Sequence, residues 1–127
     1  EGSNVDNAQT VGFFPTQFQC DNLIKVAADS IGTQLMSFTN YGFNSVDIAA
    51  PGTVVVAGRN DTLMVSSGTS FAAPIVTALA AVEASKLTSF DWWAVKQALR
   101  ARFKPTVPTA WQGKLKSTGG VLKPICD

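Results

Sequence analysis

The sequence contains no histidine, and its other chemically reactive side chains are few. Among its 127 residues there are only two cysteines and one tyrosine. Histidine is the side chain that most often moves protons near neutral pH, and it is the commonest metal ligand. These residues alone therefore cannot complete any mechanism that depends on a histidine.

Excess charge of one sign is also absent. Ten lysines and arginines face nine aspartates and glutamates, which gives a formal net charge of +1. Proteins that bind nucleic acid or an anionic membrane surface usually carry a clear excess of positive charge. We therefore expect no nucleic-acid partner and no membrane partner.

Long hydrophobic runs are missing as well. No apolar run reaches the roughly 18 residues of a membrane span. The opening EGSNVDNAQT has neither the basic head nor the apolar core of a signal peptide. A processed chain would have lost its signal, so this absence does not indicate a cytosolic location. With 46% hydrophobic and 15% charged residues, the composition fits one globular domain.

Two sequence features bear on the cellular compartment, and both leave it open. Cys20 and Cys126 lie near opposite ends of the chain, which fits a long-range disulfide and equally fits two unrelated thiols. Residues 60–62 read NDT, the acceptor pattern for N-glycosylation, which matters only in a eukaryotic secretory protein.

Short apolar segments bounded by turn residues predict a buried sheet. The segment LIKVAA at 23–28 is the first, and two more follow at 46–49 and 53–57, separated by Pro51 and Gly52. Short strands of this kind are typical of a sheet covered on both faces. Weaker patterns indicate brief strands at 35–38 and 121–122.

A helix is predicted from Thr69 to about Lys86. The segment is apolar almost all round, which predicts a buried helix. Pro74 fits such a helix only in its first turn, where the missing N–H has no intrahelical acceptor. The helix should therefore begin very near Ser70.

A second helix is predicted from about Asp91 to Phe103, with Asp91 as its N-cap. We interpret its basic residues as a solvated side that complements the helix dipole rather than as a binding patch. The predicted apolar stripe comprises Trp92, Val95, Leu99 and Phe103, and the predicted solvated side comprises Lys96, Arg100 and Arg102.

The segment SSGTSFAAP, residues 66–74, places the hydroxyl of Ser70 at the start of the first helix. A helix N-terminus offers free N–H groups and the positive end of the dipole. A serine becomes a nucleophile when a base takes its proton and preorganised donors stabilise the oxyanion. Serine is also a common residue at helix starts, so the residues themselves leave both roles open.

Four segments resemble the motifs of the subtilisin-like serine peptidases. SGTSFAAPIVTALAA resembles the serine motif G-T-S-x-A-(A/S)-P with its small-residue helix, and Ser70 matches the nucleophile. FPTQFQCDNLIKVAAD resembles Y-P-A-x-Y…N-x-I-x-V-A-A, SFTNYG resembles S-F-S-N-Y-G, and VDIAAPG resembles V-D-(I/L)-x-A-P-G. The segments occur in the family's order and cover most of residues 1–85.

The resemblance implies a three-layer α/β fold with a mostly parallel sheet, of which residues 1–127 would form the C-terminal half. It implies endopeptidase chemistry through an acyl-enzyme on Ser70, with Ser70 exposed in the first helical turn. It also implies a cis peptide bond between Phe14 and Pro15. By the same resemblance, Glu1, Gly2, Gly12 and Thr69 would contribute to substrate binding.

The family's catalytic Asp and His precede the serine motif, and neither motif is found in this sequence. The family's oxyanion Asn lies in A-G-N-(E/D)-G, and this chain opens with EG, as though just after that Asn. We expect a complementary N-terminal chain that carries Asp and His, or self-association through the surfaces such a chain would cover. The substrate would be a protein or peptide, and the resemblance implies a secreted or extracytoplasmic, processed chain.

Two alternatives belong to other functional classes. The chain would be a catalytically inactive subtilisin-like module that acts in protein binding, or a Ser–Lys hydrolase with Lys25 or Lys86 as its base. No cofactor is expected. Calcium is frequent in the family, but no acidic loop here has convincing ligand spacing, so no metal is assigned.

Overall fold

The computed structural model describes residues 2–7, 14–18, 20–31, 34–104, 111–115 and 121–122. Within this part, six strands and two helices follow one another along the chain. They are β1 (Val26–Asp29), β2 (Ile48–Pro51), β3 (Thr53–Ala57), β4 (Leu63–Ser67), α1 (Thr69–Ala84), α2 (Trp92–Ala101), β5 (Phe103–Lys104) and β6 (Val121–Leu122).

The central sheet has the strand order β1-β2-β6-β5. β1 pairs with β2 and β2 with β6 in parallel, and only β5 runs antiparallel to β6. β3 and β4 form a separate antiparallel hairpin. The α/β class with a mostly parallel sheet is confirmed.

Alternate residues of β1 and β2 belong to two different hydrophobic clusters, because successive side chains of a strand point to opposite faces. One cluster packs beneath the helices, and the other packs against the segment 111–115. The first contains Ala28, Ile48, Ala50, Ala72, Val76, Leu79, Val95 and Leu99, and the second contains Val5, Ala27, Val46, Ala49, Trp111 and Leu115. Both faces of the parallel strands are thus covered.

The strand predictions are partly confirmed. The segment 121–122 forms β6, and 53–57 forms β3 with the predicted bounds. The prediction that 53–57 belongs to the buried sheet is wrong, because β3 pairs only with β4 among the described strands and Val55 is 65% exposed. The predicted strands 23–28 and 46–49 begin three and two residues later, at 26–29 and 48–51. The segment 35–38 is not a strand, because it turns after a single bridge between Leu35 and Asp29.

β4 was not predicted from the sequence. The hairpin turns at Asn60 and Asp61, which both have positive φ, at 55° and 56°. Leu63 is 77% exposed and Val65 is 68% exposed, so the strand lacks the alternation of a half-buried strand. The glycosylation pattern at 60–62 therefore lies on an exposed turn.

Helix α1 begins at Thr69, as predicted, but two expectations about it are wrong. Only one face is buried among the described residues, at Ala72, Val76, Leu79 and Glu83. Pro74 is the sixth residue of the helix and lies in the second turn rather than the first. Since proline has no N–H, the carbonyl of Ser70 receives no i+4 hydrogen bond.

Helix α2 has the predicted cap and a different solvated side. Asp91 accepts hydrogen bonds from the N–H groups of Trp93 and Ala94 at 2.9 and 3.3 Å. Val95 and Leu99 are buried as predicted, and Trp92 is half-exposed. Lys96 is only 8% exposed, so its place on the solvated side is wrong.

Three further predictions concern single features of the chain. The peptide bond between Phe14 and Pro15 is cis. Cys20 is exposed and forms no disulfide among the described residues, while Cys126 lies outside them. In the described part of the chain, no helix has both the length and the apolar character needed to cross a membrane.

Candidate active site

A short chain of backbone hydrogen bonds fixes the start of α1 against the sheet. The Gly52 N–H donates to the carbonyl of Asp29 at 2.9 Å, and the Gly68 N–H donates to the carbonyl of Gly52 at 2.8 Å. A Cβ at position 52 would lie 2.5 Å from the Cβ of Ala28, so this close approach requires glycine. The end of β1 thereby determines where α1 begins.

The N-terminus of α1 is left open. Gly68 is the N-cap residue, and no side chain of the described residues caps the helix there. The Phe71 N–H donates to the carbonyl of Gly68 at 3.1 Å, while the N–H groups of Thr69 and Ser70 precede the first intrahelical acceptors. Partial positive charge from the helix dipole is concentrated at this point.

Ser70 is the second residue of α1 and is exposed, as predicted. It lies where two cavities meet, one of about 610 Å³ and one of about 330 Å³. Both cavities are lined by Thr16, Lys25, Val26, Thr69 and Ser70. The hydroxyl is therefore accessible to a bound molecule, and Thr69 lines the same two cavities.

The far wall of the larger cavity is supported by the first residues of the chain. Phe38, Thr39 and Asn40 line this wall. The Gly2 N–H donates to the carbonyl of Phe38 at 3.0 Å, and the Ser3 N–H donates to Oδ1 of Asn40 at 3.1 Å. The structure thus places Gly2 behind the wall.

The remaining predicted substrate-binding residues, Glu1 and Gly12, lie outside the described residues. For them, and for the substrate roles of Gly2 and Thr69, the assignment stays a prediction.

The structure separates the two lysines that were considered as bases for Ser70. Lys25 lines both cavities and is buried, but its ammonium forms no hydrogen bond with Ser70. Lys86 follows the opposite end of α1, roughly 24 Å from Ser70 by the rise of the helix. There it pairs with Glu83 at 2.9 Å, so Lys86 is not the base.

Glu83 is a buried carboxylate that connects the two helices. It accepts hydrogen bonds from Lys86 and from Nε of Arg102, which follows the end of α2. The hydrogen bond from Lys86, followed by that from Arg102, lowers the pKa of Glu83 below its ordinary 4.5, against the opposing effect of burial. This cluster lies at the end of α1 away from Ser70.

Lys96 was missed as a residue near the site. Its ammonium donates to the backbone carbonyls of Asp21 and Leu23, at 2.5 and 2.8 Å. Leu23 lines the smaller cavity with Ser70. The spacing of Trp92, Val95, Lys96 and Leu99 is i, i+3, i+4, i+7, which places Lys96 on the core-facing side and is the signal that could have found it.

Among the described residues, no group of three His, Cys, Asp or Glu side chains is placed to hold a metal ion.

Comparison with known proteins gives two findings. The family model described as the subtilase family matches residues 2–117. A subtilase-type proteinase of Schizosaccharomyces pombe, psp3, is 43% identical over 63 residues. That match covers 47% of this chain and 14% of the yeast protein, so the chain spans only a small part of its relative.

Proposed function

The chain belongs to the subtilase family, and from this premise we propose that Ser70 is the nucleophile of a serine endopeptidase. The observation that carries the proposal is the position of Ser70. It is exposed, it lies in the first turn of an uncapped helix, and it borders two cavities. A hydroxyl so placed can attack a bound carbonyl while the helix N–H groups face the developing charge.

The reaction proceeds through an acyl-enzyme. Oγ of Ser70 attacks the scissile peptide carbonyl, its proton passes to a base, and the oxyanion accepts hydrogen bonds from helix N–H groups. The C–N bond then breaks, the amine leaves with the proton from the base, and water hydrolyses the ester. Ser70, Thr69 and the cavity walls supply the nucleophile, one set of oxyanion donors and part of the substrate site.

The base of the family is a histidine, and these 127 residues contain none. Lys25 forms no hydrogen bond with Ser70, so it does not take that place. We propose that a complementary N-terminal segment or chain supplies the Asp, the His and the oxyanion Asn of the family. The isolated 127-residue chain is then inactive. The substrates are proteins or peptides, and the location is secreted or extracytoplasmic.

The experiment is fluorophosphonate labelling of the native protein, followed by intact mass and peptide mapping of every chain present. We expect the label on Ser70 and a histidine-containing chain or segment in the same material. Ser70→Ala in the full-length protein should abolish labelling and peptide hydrolysis. Ser89→Ala, which removes an exposed hydroxyl in the turn after α1, should change neither.

The opposite result would be informative. If Ser70 stays unlabelled and no histidine-containing partner is present, the peptidase proposal is wrong. The inactive subtilisin-like module that acts in protein binding would then be the better description.

A further inference from the structure

We propose that Lys96 is a positioning residue that holds one wall of the substrate site beside Ser70. The inference rests on the proposed function, and it adds a residue from α2, an element that does not itself line the cavities. The Lys96 ammonium contacts the segment 21–25, which precedes β1 and lies next to the first turn of α1.

The segment 21–25 precedes β1, which begins at Val26. Within the described part of the chain, only its last residue has backbone partners across the sheet, since the carbonyl of Lys25 accepts from the N–H groups of Asp47 and Ile48 at 2.9 and 3.2 Å. Two charged side chains bind the segment as well. Oδ2 of Asp47 accepts from the Lys25 N–H at 2.8 Å, and Lys96 donates to the carbonyls of Asp21 and Leu23. Each end of the segment therefore has its own polar anchor.

The anchored segment forms part of the cavity beside the nucleophile. Leu23, Ile24 and Lys25 line the smaller cavity together with Thr69 and Ser70. A shift of this backbone would change the width of the cavity with little movement of Ser70, because α1 is fixed through Gly68 and Gly52 to Asp29, at the far end of β1. Lys96 thus governs the wall of the site and not the nucleophile.

A lysine is well suited to this role. Lys96 is only 8% exposed, and its ammonium offers three donors that can satisfy several carbonyls from one point. Removing it leaves two partly buried backbone carbonyls without that donor, and such a loss is larger than the net gain from an average hydrogen bond. Its presence on the core side of α2 is explained by these carbonyls.

The test is Lys96→Met in the full-length active protein, which keeps the length of the side chain and removes its donors. For an extended peptide substrate we expect KM to rise about tenfold, the equivalent of one charged hydrogen bond, with kcat within about twofold of wild type. The rate at which a small fluorophosphonate labels Ser70 should not change, because that reagent does not reach the wall.

Matched variants separate positioning from folding. Lys86→Met removes the same charge from a partly exposed ion pair and should leave KM unchanged. Lys96→Arg keeps the charge and the donors and should recover most of the loss. If Lys96→Met does not fold, Lys96→Gln replaces it, with an intermediate rise in KM expected.

A lower melting temperature with an unchanged KM, in whichever Lys96 variant folds, overturns this inference and leaves a purely structural role. The proposed function fails in a different way, since the wild-type protein would then show no labelling of Ser70 at all. Measuring wild type first keeps the two outcomes apart.

Discussion

The two helices of the described structure begin in opposite ways. α2 begins after Asp91, whose carboxylate accepts from two backbone N–H groups. α1 begins after Gly68, and no side chain of the described part caps it. An N-cap typically contributes about 1 kcal/mol, so α1 lacks a stabilising contact that α2 has. The contrast indicates that the first turn of α2 serves stability, whereas the first turn of α1 is available to a ligand.

The two helices also differ in what surrounds their first turns. Around α1 the chain has glycines at 52 and 68, and a proline in the second turn. Around α2 it has a carboxylate and two indole rings, Trp92 and Trp93, in edge contact at 5.6 Å. Four variants test whether this division between the helices holds.

The largest effect should come from Leu99→Ala in α2. Leu99 is 1% exposed in the cluster beneath the helices, so its truncation removes apolar burial and leaves a cavity. We expect the free energy of unfolding to fall by about 3 kcal/mol, measured by urea denaturation of the full-length protein. Gln97→Ala, at an exposed position of α2, is the control. The folded fraction of Leu99→Ala should still label Ser70 rapidly with the fluorophosphonate. A loss of labelling without a loss of stability would contradict a structural role for α2.

Gly68→Asp should have the next largest effect, because it gives α1 the kind of cap that α2 has. Residue 68 has an extended φ of 167°, which any residue adopts, but a Cβ there lies 3.1 Å from Oγ of Ser70. We expect labelling of Ser70 to slow about a hundredfold, as a misplacement of about 1 Å can cause. The new carboxylate would also accept hydrogen bonds from the helix N–H groups that face the substrate, so these groups would no longer be free to stabilise the oxyanion. Labelling at the wild-type rate would show that the open terminus is not needed.

Asp91→Ala should have a smaller effect, confined to stability. The Trp93 and Ala94 N–H groups lose their acceptor, and we expect about 1 kcal/mol of destabilisation with no change in the labelling rate. Asp91→Ser retains a capping oxygen and should recover most of the loss. Equal losses from both substitutions would argue against capping as the cause.

The smallest effect should be the contribution of Glu83 to pH-dependent stability. Its folded pKa is lowered by Lys86 and Arg102 from an ordinary 4.5. The pairing therefore contributes fully above pH 4.5, and the contribution is lost as the pH falls through the folded pKa, because the unfolded chain binds the proton first. Urea denaturation between neutral and acidic pH should show a shallower decline below pH 4.5 for Glu83→Gln than for wild type. Identical slopes would show that the pairing contributes nothing.

The sequence was sufficient to predict the parts of the site that depend on local chemistry. The apolar pattern predicted that α1 begins near Ser70, and the resemblance implied that Ser70 is exposed; both are confirmed, although the position of Pro74 in the first turn is not. The capping role of Asp91 followed from its position before an apolar stripe, and it is confirmed. Each of these features depends on neighbouring residues in the chain.

Features that depend on distant residues were not predictable in the same way. Lys96 is charged and was placed in solvent, although its acceptors lie 75 and 73 residues away in the chain. The segment 23–25 is apolar enough for a strand, but it precedes β1. Its backbone is bound by Lys96 of α2 and by Asp47 and Ile48 at the start of β2. β4 was missed because its stability comes from pairing with β3, while its large side chains remain exposed.

Gly2 illustrates how narrowly the support of the cavity wall is specified. Its φ is +70°, and a Cβ there would lie 2.5 Å from the carbonyl oxygen of Ser37. Every other amino acid brings a Cβ and a conformational penalty at such a φ. In a saturation library of the full-length protein selected for peptidase activity, position 2 should therefore return a single allele, even though its residue carries no chemistry of its own.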